Sequence, residues 1–251
     1  MNIKLPSYLI IAFAILFSGI GSVRADEDAA TATIVDGKVH VFSAKDKTGV
    51  LLKKNDRLQK NQEIRVAEKS RVELKFPDGT VMRFAERSTV KMDDILYDNK
   101  TESKKVKVGL TSGKLWASVK KLVTNDSKVE VRTTNAVAGV RGTVYRVNVE
   151  DDNSAVVKVY DGSVDVGGIP KDQQPKAAAQ GFSAPVPVSG PTQVAAPYHE
   201  VSMEEWHVIV KSFQQVTISP KGVASQPQDF TPQQDMDDWV KWNQERDKAA
   251  E

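Results

Sequence analysis

Between residues 33 and 168 apolar side chains recur at every second position, as in Val72, Leu74 and Phe76, Val106, Val108 and Leu110, Val129 and Val131, and Tyr145, Val147 and Val149. A period of two puts successive side chains on opposite faces of an extended chain, so these runs predict strands with one face buried. Turn chemistry separates them: Pro77-Asp78-Gly79-Thr80, Ser112-Gly113, Asp151-Asp152-Asn153 and Asp161-Gly162-Ser163. Glycine accepts a positive φ without a Cβ clash, which makes such pairs between alternating runs strong turn signals. A weak repetition runs through the region, with Asp36-Gly37-Lys38, Ser112-Gly113-Lys114 and Asp161-Gly162-Ser163 each feeding a short strand. The spacings are unequal, so this is not a regular repeat array, and convergence on good turn sequences accounts for it. Short strands at near-regular turn intervals predict an all-β domain over 33–168, either a sandwich or a solenoid-like roll.

The flanks read differently. Residues 1–25 combine Lys4, an apolar stretch from Tyr8 to Ile20 and Val23-Arg24-Ala25, the pattern of a secretory signal cut after Ala25. The apolar stretch is shorter than the roughly 20 residues that span a bilayer, so no stable membrane anchor is expected after cleavage. Residues 169–198 hold six prolines among Ala, Gln, Ser and Gly, the composition of a linker. Two helices are predicted in 199–251. Ser202 and Glu205 form a capping box ahead of Trp206, Ile209, Val210 and Phe213 on one helical face, and Thr231, Pro232 and Gln234 precede Met236, Trp239 and Val240, with Trp242 on the flank. Those faces must cover something, most economically the open side of the sheet domain.

Composition removes several function classes. With no cysteine there is no disulfide, no thiol nucleophile and no lipid-modified N-terminus. Lys and Arg number 35 against 33 Asp and Glu, and the leader accounts for the excess, so the predicted mature chain is neutral and lacks the electrostatic footprint of a nucleic-acid binder. The balance is uneven: residues 26–169 hold 26 basic and 22 acidic side chains, whereas 199–251 hold 5 and 10. An acidic tail beside a mildly basic body docks on it or stays solvated, and solvation is the commoner outcome. His40, His199 and His207 are scattered, and the pairs Asp93-Asp94, Asp151-Asp152 and Asp237-Asp238 are adjacent carboxylates that would point apart on a strand. No catalytic, metal or cofactor constellation emerges, and the chain is read as a non-enzyme without cofactor. The remaining feature is the run from Thr133 to Val147, which carries Gly139, Arg141, Gly142 and Thr143. A guanidinium between glycines can tie backbone carbonyls to Asp161 or Asp78, a staple whose loss in Arg141→Ala would unfold the domain; its other reading is contact with a partner.

In order and spacing, Gly49 to Leu58, Ser70 to Thr80, Gly113 to Trp116, Thr133 to Thr143 and Val159 to Val164 resemble the FecR domain family. Asn55 and Asn61 stand where that family often has glycine, both suited to a left-handed turn, and Thr134 replaces a frequent proline. The resemblance covers about 45–168 and implies an extracytoplasmic domain of short strands in a twisted, solenoid-like double layer. Known members relay the state of an outer-membrane receptor to a sigma factor. Here a secretory leader stands where such sensors carry a cytoplasmic sigma-binding segment, so the chain resembles the stand-alone secreted members. The leading expectation is a periplasmic or secreted protein that uses its β surface and its tail, with Trp206, Trp239 and Trp242, to bind an unidentified protein in sensing or envelope scaffolding. The alternative is a carbohydrate-binding module for peptidoglycan or surface polysaccharide, for which Trp116 and Tyr145 are the sheet candidates.

Overall fold

The computed structural model describes residues 28–43, 48–98, 100–101, 103–121, 124, 127–169 and 207–249. The leader, the proline-rich segment and Trp206 lie outside them. The described chain forms strands almost throughout, in two hydrogen-bonded sets.

Sheet A runs in the order β4 (Arg57–Gln59), β1 (Ala29–Asp36), β6 (Arg71–Lys75), β7 (Val81–Phe84), the second half of β9 (Ser103–Ser118), β12 (Val144–Val149), β13 (Ala155–Asp161), β16 (Gln214–Ile218) and β17 (Gln228–Asp229). Sheet B runs in the order β3 (Val50–Leu51), β2 (Val39–Phe42), β5 (Glu63–Val66), β8 (Thr89–Asp98), the first half of β9, β10 (Lys128–Arg132), β11 (Ala136–Val140), β14 (Ser163–Gly168) and β15 (His207–Lys211). Every pairing is antiparallel except β9 with β10. Because β9 belongs to both sets, the whole is one continuous open sheet. The alternating residues of both sets, Val72 and Leu74 from one and Val106 and Val108 from the other, enter a single buried apolar cluster. The predicted all-β character therefore holds among the described residues, and the period-two pattern marks the core-facing side of each strand.

The passages between the two sheets share one device. Each of the links at Gly37, Asn55, Asn61, Lys69, Arg87, Gly142, Gly162 and Phe213 holds one residue of positive φ, and Gly113 does the same inside β9. The remaining passage, from β9 to β10, runs partly through residues outside the described set. A left-handed residue turns the strand direction sharply, so the chain can leave one sheet and enter the other within a few residues. The weak glycine repetition thereby gains a physical meaning. At Gly37 an added Cβ would sit 2.2 Å from Ser70 Oγ, and at Gly113 2.3 Å from Ser88 Oγ. Those hydroxyls occupy the space because they accept hydrogen bonds from the next amides, Lys38 N at 2.8 Å and Lys114 N at 3.1 Å. Asn55 and Asn61 have φ of 72° and 66°, the left-handed conformation expected of them.

Three expectations are corrected. The Ser112-Gly113 signal predicts a break, but β9 continues through it for 16 residues, because Gly113 is the point where the strand changes sheet. The helix predicted after Ser202 is absent from its described part: His207–Lys211 is a strand in which Val208 and Val210 lie opposite Val166 and Val164 of β14. The spacing of Ile209, Val210 and Phe213 suits a helix, yet β-branched residues pair well on a sheet, and the edge of β14 needed a partner. The last helix, α1 (Asp238–Lys248), starts later than predicted. Thr231 and Gln234 do form the reciprocal capping pair, Gln234 Oε1 accepting from Thr231 N at 3.0 Å, but it closes one turn only. The working cap is Asp237, whose Oδ1 accepts from Val240 N at 2.7 Å. One C-terminal helix, not two, is present among the described residues.

Candidate functional site

The outer face of sheet A carries a row of large polar side chains in direct register. Glu73 of β6 lies opposite Arg83 of β7, Arg83 opposite Trp116 of β9, Trp116 opposite Arg146 of β12, and Arg146 opposite Lys158 of β13. Each alternates with core residues of its own strand, so the pleat that buries Leu74, Met82, Leu115, Val147 and Val157 turns this row outward. The row is nevertheless buried: Glu73 is 5% exposed, Arg83 and Trp116 1%, and Arg146 6%. What covers it is the C-terminal segment from Phe230 to Ala249.

Two aspartates of that segment make the principal contacts. Asp235 Oδ1 accepts from Arg146 Nη2 at 2.5 Å and from Lys158 Nζ at 2.7 Å, while Oδ2 accepts from the Tyr160 hydroxyl. Asp247, near the end of α1, accepts from Arg83 Nη1 at 2.6 Å and from Trp116 Nε1 at 2.8 Å. Arg246 reaches back to Glu73 Oε2 at 3.0 Å, which also accepts from Arg83 Nε at 2.7 Å. Aromatic rings fill the space beside these groups: Tyr160 lies between Trp116 and Phe230, with ring centroids 4.5 and 5.6 Å away. The apolar share of the cover is small, Phe230 and Val240 being its buried hydrophobic residues.

Burial pushes the Glu73 carboxyl up, but hydrogen bonds from Thr33, Arg83 and Arg246 and the Arg83 charge outweigh it and hold the group below the usual carboxylate range. The Tyr160 hydroxyl is pushed far up by burial, aided by Asp235 and Asp237 and opposed by the Arg146 charge, so it remains a donor. Arg146 is poorly served. One short hydrogen bond leaves from Nη2, Nη1 stands 3.6 Å from Asp237 Oδ2, and neither Nε nor Nη1 has a hydrogen-bond partner.

The residues singled out in the sequence fall in different places. Trp239 and Trp242 stack on one another at 5.4 Å on α1, half-buried, and the Arg71 guanidinium lies 4.4 Å over the Trp242 ring. Trp239 also borders a cleft of about 600 Å³ with Arg71, Lys114, Glu150, Asp151 and Asp238. Trp206 lies outside the described residues. Gly139 sits within β11, opposite Glu130 and Asp165. Gly142 makes the passage from β11 to β12 at φ 72°, and Thr143 is buried with its Oγ1 donating to the Ser163 carbonyl at 2.9 Å. Arg141 is exposed at that bend, and Asp78, one of its expected partners, is taken by Lys104, Thr80 and Tyr97. Thr143 and Gly142 hold the joint from inside, with the Arg141 side chain exposed beside them. Sequence reasoning missed Glu73, Arg83, Arg146, Lys158, Tyr160, Asp235 and Asp247. For Glu73, Arg83, Arg146 and Lys158 the signal was a charged residue between two apolar ones on four strands, which only strand register brings into one row. Among the described residues no group of three or more His, Asp or Glu could hold a metal ion, and no helix is long and apolar enough to cross a membrane.

The fold and the seam define an all-β domain closed on one face by its own acidic tail. Residues 62–165, from β5 into β14, match the family described as FecR protein, the family that the sequence resemblance named. Two crystal structures of a candidate anti-sigma factor from Parabacteroides distasonis are similar, with 16% and 17% identity, TM-scores of 0.45 and 0.44 and 68% of this chain covered. The chain spans 61% of the length of those proteins. No curated protein matches the chain.

Proposed function

We propose that this chain is an extracytoplasmic regulatory protein, exported by the leader at residues 1–25, that acts by binding another protein and carries out no chemistry of its own. The observation that carries the reading is the FecR match over 62–165, a span that also contains Glu73, Arg83, Trp116, Arg146 and Lys158. The two sheets are read as the two layers of a twisted double layer, supported by the one apolar cluster drawn from both. An interaction role suits a surface made of hydrogen-bonded charges and aromatic rings, the groups that confer recognition rather than bulk stability. The carbohydrate alternative needs Trp116 and Tyr145 as a sheet platform; these residues are 1% and 0% exposed, so neither offers a stacking face.

The test is made in the native host. Intact-mass analysis of the tagged protein should show a mature chain starting at Asp26 in the envelope fraction, and deletion of the gene should alter transcription of a narrow set of genes. A full-length cytosolic product, or an unchanged transcript profile on deletion, would remove the proposal.

A further inference from the structure

We infer that the outer row of sheet A is a docking surface for an acidic peptide segment of another protein, and that residues 230–249 are its removable internal occupant. The inference names the surface through which the interaction proposed above would run, and rests on that reading only for the partner being a protein.

Three observations carry it. The first is charge complementarity. The face presents Arg83, Arg146 and Lys158 with Trp116 and Tyr160 between them, and the cover meets it with Asp235 and Asp247; one pair at the end of the row is reversed, Glu73 accepting from Arg246 of the cover. The second is the nature of the seam. A permanent cover buries a large apolar surface whose exposure would be costly, whereas here Phe230 and Val240 are the buried hydrophobic residues of the cover and the other facing groups are charges, amides and aromatic rings with polar tips that water can take over. Such a cover can leave without exposing the core, which lies on the opposite face of the same strands. The third is Arg146. Its guanidinium is more than nine-tenths buried under the cover, yet Nε and Nη1 lack hydrogen-bond partners, Nη1 having only the Asp237 carboxylate at 3.6 Å. A planar guanidinium binds a carboxylate best through two parallel N–H bonds, and Asp235 takes only one because it also serves Lys158 and Tyr160. An incoming segment that supplies a carboxylate to the Nε edge of Arg146, beside one in the Asp235 position, would satisfy donors that the tail leaves idle. The internal occupant is therefore a weaker ligand than the surface can accept, as a displaceable cover must be.

The test uses the full chain and a fluorescein-labelled peptide of residues 230–249 as probe, read by anisotropy. The wild type should bind the peptide weakly, since its own segment competes. The full-length double variant Asp235→Asn/Asp247→Asn should bind it at least tenfold more tightly, and adding Arg146→Gln to that variant should remove the gain. A peptide with the same two aspartates changed to asparagine should bind at least tenfold more weakly than the original. No gain in the double variant, or equal binding of the neutralised peptide, overturns the inference. If the double variant does not fold, hydrogen exchange of the wild type decides: amides of α1 should exchange through openings that leave β9 and β12 protected, at a rate that rises with salt. Exchange of α1 only together with those strands would overturn it. Peptide binding as expected alongside an unchanged transcript profile would sink the regulatory reading while leaving the surface intact.

Discussion

The sheet-to-sheet passages and the seam under the C-terminal segment both tie distant parts of the chain together, but by opposite means. At a passage such as Gly113, backbone is packed so closely that Ser88 Cα would lie 2.6 Å from an added Cβ, and the joint opens only if the fold opens. At the seam, the contact is made mostly by charged side chains meeting through hydrogen bonds. Steric joints fix an architecture and polar seams permit exchange, so a chain that has both can keep its fold while altering its surface.

The passages should be the most sensitive part of the molecule. Gly113→Val forces a β-branched residue into a φ of 89° against Ser88, and should cost about 4 kcal/mol or more, lowering the single cooperative urea transition. Asp235→Ala strikes the seam instead. It leaves Arg146 and Lys158 without their acceptor, but the segment can lift and let water solvate them, so the loss should stop at about 1–3 kcal/mol. Hydrogen exchange should then quicken across α1 and not across β9. Equal quickening in both would show that the seam is as integral as the joints.

Acid should act on the seam and on the sheets with the same sign. Glu73 in the seam, Asp78 at the β6–β7 turn and Glu130 of sheet B are each raised by burial and lowered further by their cationic and hydrogen-bond partners, to a net position below their ordinary values. The unfolded chain therefore takes up protons first as pH falls. The stability these groups contribute is present above about pH 5 and is lost as pH drops through about 4 towards their folded values. A melting-temperature series from pH 7 to pH 3 should show this fall, and Glu73→Gln should flatten it.

Two smaller effects sharpen the contrast. Lys69, at φ 53°, makes its passage with a side chain where glycine would be unstrained, so Lys69→Gly should stabilise the domain by about 1 kcal/mol in a urea melt. Arg141→Ala should move the midpoint by less than about 0.5 kcal/mol, because the side chain is exposed and Thr143 holds the bend. Unfolding of that variant would restore the guanidinium staple.

Much of the sheet domain was legible in the chain because its signals are local. Alternation in Val72, Leu74 and Phe76 sets which face is buried, and the positive φ at Gly37, Asn55, Asn61 and Gly162 follows from residue types that tolerate it. Lys69, Arg87 and Phe213 make the same turns without any such mark, and they do so because the packed sheets over-determine the backbone there. The His207–Lys211 strand was misread because a helical and a strand pattern coincide over so few apolar positions, and only the free edge of β14 chose between them.

By itself, then, the sequence determined an all-β domain with an acidic tail, since periodicity, turn chemistry and charge are properties of neighbouring residues. Tertiary structure alone decided that Glu73, Arg83, Trp116, Arg146 and Lys158 form one row and that Asp235 and Asp247 cover it. A cross-strand row is set by register between segments far apart in the chain, and the fit of a cover depends on where the remaining strands leave room for it.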